Sequence, residues 1–131
     1  MSDELLLGAI SDELMLLAAA GDLDSQREIR DVFLVDPQIA PLTLERARQA
    51  EWWARLVAVR GFKQDRMKLA AALLMRSATA GNEATCDDFA VEAIVNLNDM
   101  AESGSEDAAA MLVTLGPDIA PEVFARAAGE S

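Results

Sequence analysis

The chain contains no histidine and no tyrosine, and these absences remove more chemistry than any motif adds. Histidine is the commonest general base near neutral pH and the commonest transition-metal ligand. Catalytic triads, zincin motifs and Cys/His zinc sites are therefore excluded. The single cysteine, Cys86, cannot close an internal disulfide, which fits a reducing compartment. A helix start favours a thiolate in principle, but Asp87 and Asp88 beside Cys86 oppose one, so an inert, partly buried thiol is expected. Neither a G-x-x-x-x-G-K nor a G-x-G-x-x-G loop occurs, and no strand-like stretch precedes any glycine, so those modes of nucleotide binding are out. Uninterrupted apolar runs of the roughly 18–20 residues that a membrane-spanning helix needs are also missing. No Lys or Arg precedes the first apolar stretch in Met1-Ser2-Asp3-Glu4-Leu5, so the basic start of a secretory signal is lacking. A soluble, cytoplasmic protein with no membrane partner is the expectation.

What is present reads as helix. The 131 residues are 52% apolar, enough for one core, and residues 1–131 are expected to form a single domain. Gly acts as a stop and Ser, Thr or Asp as a start along most of the chain. Residues 3 to 20 place Leu6, Ile10, Leu14 and Leu17 on one face ahead of Gly21, although Ser11-Asp12-Glu13 could restart the helix. Ser25 with Glu28 forms a capping box for a short second helix, with Ile29, Val32 and Phe33 on its buried side, ending before Asp36-Pro37. Thr43 caps a third helix running to about Arg60, with Ala47, Ala50, Trp53, Ala54 and Val57 on one face and Gly61 as its stop. The dense apolar set between Asp65 and Ala80 predicts a central fourth helix. A fifth runs from about Thr85 to Glu102, with Phe89, Ala90, Ala93, Ile94, Leu97 and Met100 along one side. Residues 106 to 115 make a sixth, and Pro121 opens a seventh that ends near Ala128. The fold class is all-α: a compact bundle or short array of six to seven helices built from helical hairpins.

Two internal similarities stand out. Pro37-Gln38-Ile39-Ala40-Pro41 matches Pro117-Asp118-Ile119-Ala120-Pro121, Arg46-Ala47 returns as Arg126-Ala127, and Ser25 returns as Ser105. An internal duplication relating residues 25–47 and 105–127 would explain this. Each Pro fixes φ and disfavours helix before it, which makes structural punctuation a simpler reading of these corners than recognition. Ser77-Ala78-Thr79-Ala80-Gly81-Asn82-Glu83-Ala84 and Ala101-Glu102-Ser103-Gly104-Ser105-Glu106-Asp107-Ala108 form the second pair. With Leu17-Ala18-Ala19-Ala20-Gly21-Asp22, they resemble the Ala-x-x-Gly-Asn-x-x-Ala turn of Sel1-like repeats, relatives of the tetratricopeptide repeats. The stretch from Ala108 to Ala127, with Leu115-Gly116-Pro117-Asp118-Ile119-Ala120-Pro121-Glu122-Val123, is similar to a helical segment of flagellar motor-switch proteins. These resemblances imply an array of helical hairpins that exposes a groove or face to protein partners, without enzymatic activity.

Charge bears most on partners. The net charge is −12, but it is uneven: residues 1–26 carry six acids and no base, residues 77–131 eleven acids and one base. Residues 45–76 hold eight bases (Arg46, Arg48, Arg55, Arg60, Lys63, Arg66, Lys68, Arg76) against three acids. Nucleic-acid affinity is drawn largely from phosphate neutralisation, so nucleic acid is not an expected partner. The basic third and fourth helices are expected to lie beside the acidic first and fifth, with opposite charges pairing across their rims. Asp87, Asp88 and Glu92 cluster at a helix start, but such carboxylates usually form a solvated face, and no metal, cofactor or small-molecule substrate is expected.

Adjacent Trp52 and Trp53 point about 100° apart on a helix and cannot share one core direction. Trp53 fits the Ala50, Ala54, Val57 face. Trp52 falls beside Arg48 and Arg55, with Leu56 and Val59 continuing its side, unless another helix covers it. Trp and Arg are frequent binding hot spots. Trp52, Arg48, Arg55, Leu56 and Val59 are thus the candidate protein-interaction residues. The expected function is a non-enzymatic protein-protein interaction module that self-associates as a homodimer; no catalytic residue is assigned. The alternative is an acidic inhibitor or nucleic-acid mimic that occupies a basic surface on a partner protein.

Overall fold

Helix starts and stops along this chain are set mostly by local side chains. The computed structural model describes residues 10–34 and 41–129, and among them are seven α-helices and no strand. They are α1 (Asp12–Ala19), α2 (Leu23–Phe33), α3 (Leu44–Ala58), α4 (Lys63–Ala78), α5 (Glu83–Glu102), α6 (Glu106–Leu115) and α7 (Pro121–Ala127). The all-α expectation holds. Ser11 caps α1 by accepting from the Leu14 amide at 3.1 Å; the earlier residues assigned to helix one, 3–9, lie outside the described residues. Thr43, Asn82 and Ser105 cap α3, α5 and α6 in the same way, and Pro121 occupies the first turn of α7.

The second helix departs from expectation. Asp22 caps it, accepting from both the amide and the hydroxyl of Ser25, and Ser25 is the third helical residue. A carboxylate placed three residues earlier satisfies the first-turn amides and gains from the helix dipole, so the Ser25 hydroxyl donates to it instead of capping. Those hydrogen bonds hold the Asp22 carboxyl below its ordinary range. Ser25 and Ser105 are therefore not equivalent, since Ser105 is a true cap. Pro37 to Ala40, most of the first Pro-x-Ile-Ala-Pro corner, lie outside the described residues.

The turns after α1 and α5 match closely. Gly21 and Gly104 have φ of 99° and 101°, and the amide of the next residue reaches back five positions, Asp22 to Leu17 O and Ser105 to Met100 O. This is the Schellman arrangement, which needs the left-handed conformation that glycine adopts without strain. Gly81, grouped with them by sequence, has no positive φ. The residue after each of the three glycines (Asp22, Asn82, Ser105) caps the following helix.

Packing follows chain order: each helix from α1 to α5 lies on the next, and α7 turns back onto α5. Two apolar clusters result. Ile29 and Phe33 of α2, Ala50, Trp53 and Ala54 of α3, and Leu69 and Leu73 of α4 form the first; Ala90, Ile94, Leu97 and Met100 of α5 join Ala70, Ala108 and Val123 in the second. The many fully buried alanines (Ala47, Ala50, Ala54, Ala70, Ala72, Ala93) let α3, α4 and α5 approach closely, and α4 is central as its composition predicts. None of the described helices is long and apolar enough to cross a membrane.

Three charged residues, Arg30, Arg46 and Asp65, are buried. Asp65, in the first turn of α4, is completely buried. It accepts two hydrogen bonds from Arg27, at 3.0 and 2.7 Å, and one from Arg30 at 2.7 Å, both arginines belonging to α2. Burial pushes the Asp65 carboxyl up, but the two guanidiniums outweigh it and leave it below the usual carboxylate range. Buried Arg46 of α3 donates from Nε to Phe33 O at 2.9 Å, satisfying a carbonyl at the end of α2.

Candidate functional site

The outward face of α3 brings together all five residues singled out by sequence. Trp52 is 57% exposed, so no described helix covers it. Its ring meets the buried Trp53 edge-on, with centroids 4.7 Å apart at 82°, which braces a large exposed aromatic against the core. One groove is lined by Trp52, Arg55, Leu56 and Val59, and a second by Arg48, Gln49 and the two tryptophans. Leu56 is half-buried and packs on the first core cluster, whereas Val59 is 81% exposed.

Arg48 and Arg55 differ in state. Arg55 donates to Glu92 of α5 through both terminal nitrogens, at 2.6 and 2.8 Å, and through Nε to Glu51 at 2.8 Å. Glu51 also accepts from Arg76 Nε of α4 at 2.9 Å. The chain Arg76–Glu51–Arg55–Glu92 thus ties three helices together, and the Glu92 hydrogen bonds raise the Arg55 pKa further above its ordinary value. Arg55 is consequently a fixed border of the patch. Arg48 is exposed and makes no ion pair among the described residues.

A third groove, of about 280 Å³, opens at the C-terminal end of α3 between α3, α4 and α5. Arg55, Ala58, Val59, Arg66, Leu69 and Asn96 line it. Arg66 is held loosely, with Asn96 Oδ1 at 3.4 Å and Asp99 at 3.6 Å, so most of its donors are uncommitted. Arg66, Leu69 and Asn96 escape a reading of α3 alone because they reach this face through the packing of α4 and α5. The expected pairing of basic helices with the acidic fifth is seen in Arg55–Glu92 and Arg66–Asp99.

The carboxylates at the start of α5 are engaged separately: Asp88 with Arg126 at 3.0 Å and Glu92 with Arg55. Among the described residues no group of three or more acids or cysteines is placed to hold a metal ion. The Cys86 sulfur lies 3.2 Å from Ser77 Oγ, a contact that joins the ends of α4 and α5. Compared with protein-family models, curated proteins and solved structures, the chain matches none.

Proposed function

We propose that the chain is a non-enzymatic protein-interaction module that self-associates through the outer face of α3. The observation that carries this reading is Trp52: a tryptophan 57% exposed, braced by Trp53 and continued by Leu56 and Val59. A rigid aromatic anchor loses little conformational freedom on binding and buries a large area. Charge favours a second copy as the occupant. The molecule carries −12, yet on this face Arg55, Arg76, Glu51 and Glu92 neutralise one another and Arg66 lies beside Asp99. Two copies meeting here bring together one uncompensated cation each, Arg48, whereas the acidic helices α5 to α7 would repel.

Light scattering coupled to size exclusion tests the reading. The wild type is expected to form a dimer at both low and high salt, and Trp52→Ala a folded monomer. A second reading is favoured by exposed Glu83, Glu102, Glu106, Asp107, Asp118 and Glu122, which make no ion pair among the described residues. These acids suit an inhibitor or mimic occupying a basic surface, whose affinity falls steeply with ionic strength. A wild type monomeric in every condition would remove self-association and leave this second reading.

A further inference from the structure

Resting on the self-association just proposed, we propose its geometry: two copies pack α3 against α3 in antiparallel register, each Trp52 entering the other copy's groove between α3, α4 and α5. The knob and the hole lie on one helix face. Trp52 stands seven residues before Val59, which borders the groove, a separation of about 10 Å along the helix. A two-fold axis midway between them, near Arg55 and Leu56, sets both tryptophans opposite both grooves at once. Such an interface is isologous and closes at two copies.

The groove suits an indole. Its volume of about 280 Å³ is below the roughly 300–1,000 Å³ that holds small-molecule ligands, and is in keeping with a single large side chain. Ala58 and Leu69 supply apolar walls, and Arg66, with most of its guanidinium donors unused, can lie over an aromatic face.

The same register settles Arg48. Arg55 pairs with Glu92 and Val59 shares the groove with Asn96, both reached across α4, on which α3 and α5 each pack; one turn further along α5, Asp99 lies about one turn beyond Ala58, the last residue of α3. Antiparallel pairing about the stated axis carries Arg48 of one copy to that level of the other. The cation of α3 that makes no ion pair thereby meets Asp99, whose side chain is 59% exposed. Its pairing with the own-chain Arg66, at 3.6 Å, is long enough to leave an oxygen for a second partner.

Cross-linking tests this in the Cys86→Ser background. Chains carrying Arg48→Cys are mixed with chains carrying Asp99→Cys and treated with a short bis-maleimide, while light scattering on the same samples reports whether dimers are present. The expected result is a covalent dimer in the mixture and little or none from either chain alone. Groove filling by Ala58→Phe should weaken the dimer roughly thirtyfold or more, as loss of a central anchor does, with the helical circular dichroism unchanged. Dimers that form but give no Arg48–Asp99 cross-link, or that ignore a folded Ala58→Phe, overturn this register and leave self-association standing. Absence of any dimer overturns both.

Discussion

Asp65→Asn is expected to be among the most damaging single substitutions in this chain. The carboxylate is fully buried and receives three hydrogen bonds of 2.7 to 3.0 Å from Arg27 and Arg30. Asparagine keeps the shape but removes the charge and one acceptor oxygen. Arg30, whose side chain is 5% exposed, then keeps Asp31 as its charged partner, half-exposed and on the adjacent residue. Removing one partner of a buried ion pair costs about 3–5 kcal/mol, against roughly 5–15 kcal/mol for the stability of a whole domain. The half-exposed Lys68–Asp31 pair at 3.8 Å contributes about 0.5 kcal/mol or less, so Lys68→Ala serves as the contrast. Urea unfolding at neutral pH should show the midpoint of Asp65→Asn falling sharply with the slope unchanged. A second signature follows from titration. The folded-state carboxyl lies below its ordinary 3.8, so its contribution is complete above about pH 4 and is lost as pH falls through the lower folded value, where the unfolded chain binds the extra proton. In the variant that part of the acid slope should disappear. A loss under about 1 kcal/mol, or an acid limb parallel to that of the wild type, would refute the assignment of Asp65 as the anchor between α2 and α4.

Two other substitutions probe the fold. Gly104→Ala forces a Cβ into a left-handed conformation with φ of 101° and should cost about 1–2 kcal/mol, while Gly81→Ala, where φ is not positive, should change stability by less than about 0.5 kcal/mol; equal effects in thermal or urea melts would contradict the distinction between these turns. Ile94→Ala, fully buried in the second apolar cluster, should cost about 2–5 kcal/mol, and a midpoint near that of the wild type would show that this cluster is loosely packed.

Much of the fold is legible in sequence because its determinants are local. Thr43, Ser105, Gly61 and Pro121 act within one turn of where they stand, and the five apolar residues of α3 announce their face by spacing. Asp22 displaced Ser25 as a cap because two acceptable caps lay three residues apart, and spacing alone does not rank them. Burial of Arg30, Arg46 and Asp65 has no local sign: Arg30 meets Asp65 across 35 residues, and only the packing of α2 on α4 creates the pair. The candidate site divides the same way. Trp52, Arg48, Arg55, Leu56 and Val59 were readable from helical periodicity, but the commitment of Arg55 to Glu92 across 37 residues and the groove walls from Arg66, Leu69 and Asn96 depend on how α4 and α5 lie.

The proposed anchor of self-association, Trp52, carries its own reporter in the indole N–H. With two tryptophans in the chain, the indole N–H region of a proton–nitrogen correlation spectrum holds two signals, each assignable by substituting one residue with phenylalanine. Recorded over a dilution series, the Trp52 signal should move with protein concentration, more than that of Trp53, and should do so equally at low and high salt. Indole signals that stay fixed across the series, with concentration-dependent shifts confined to the acidic helices α5 to α7 and abolished by salt, would contradict that role.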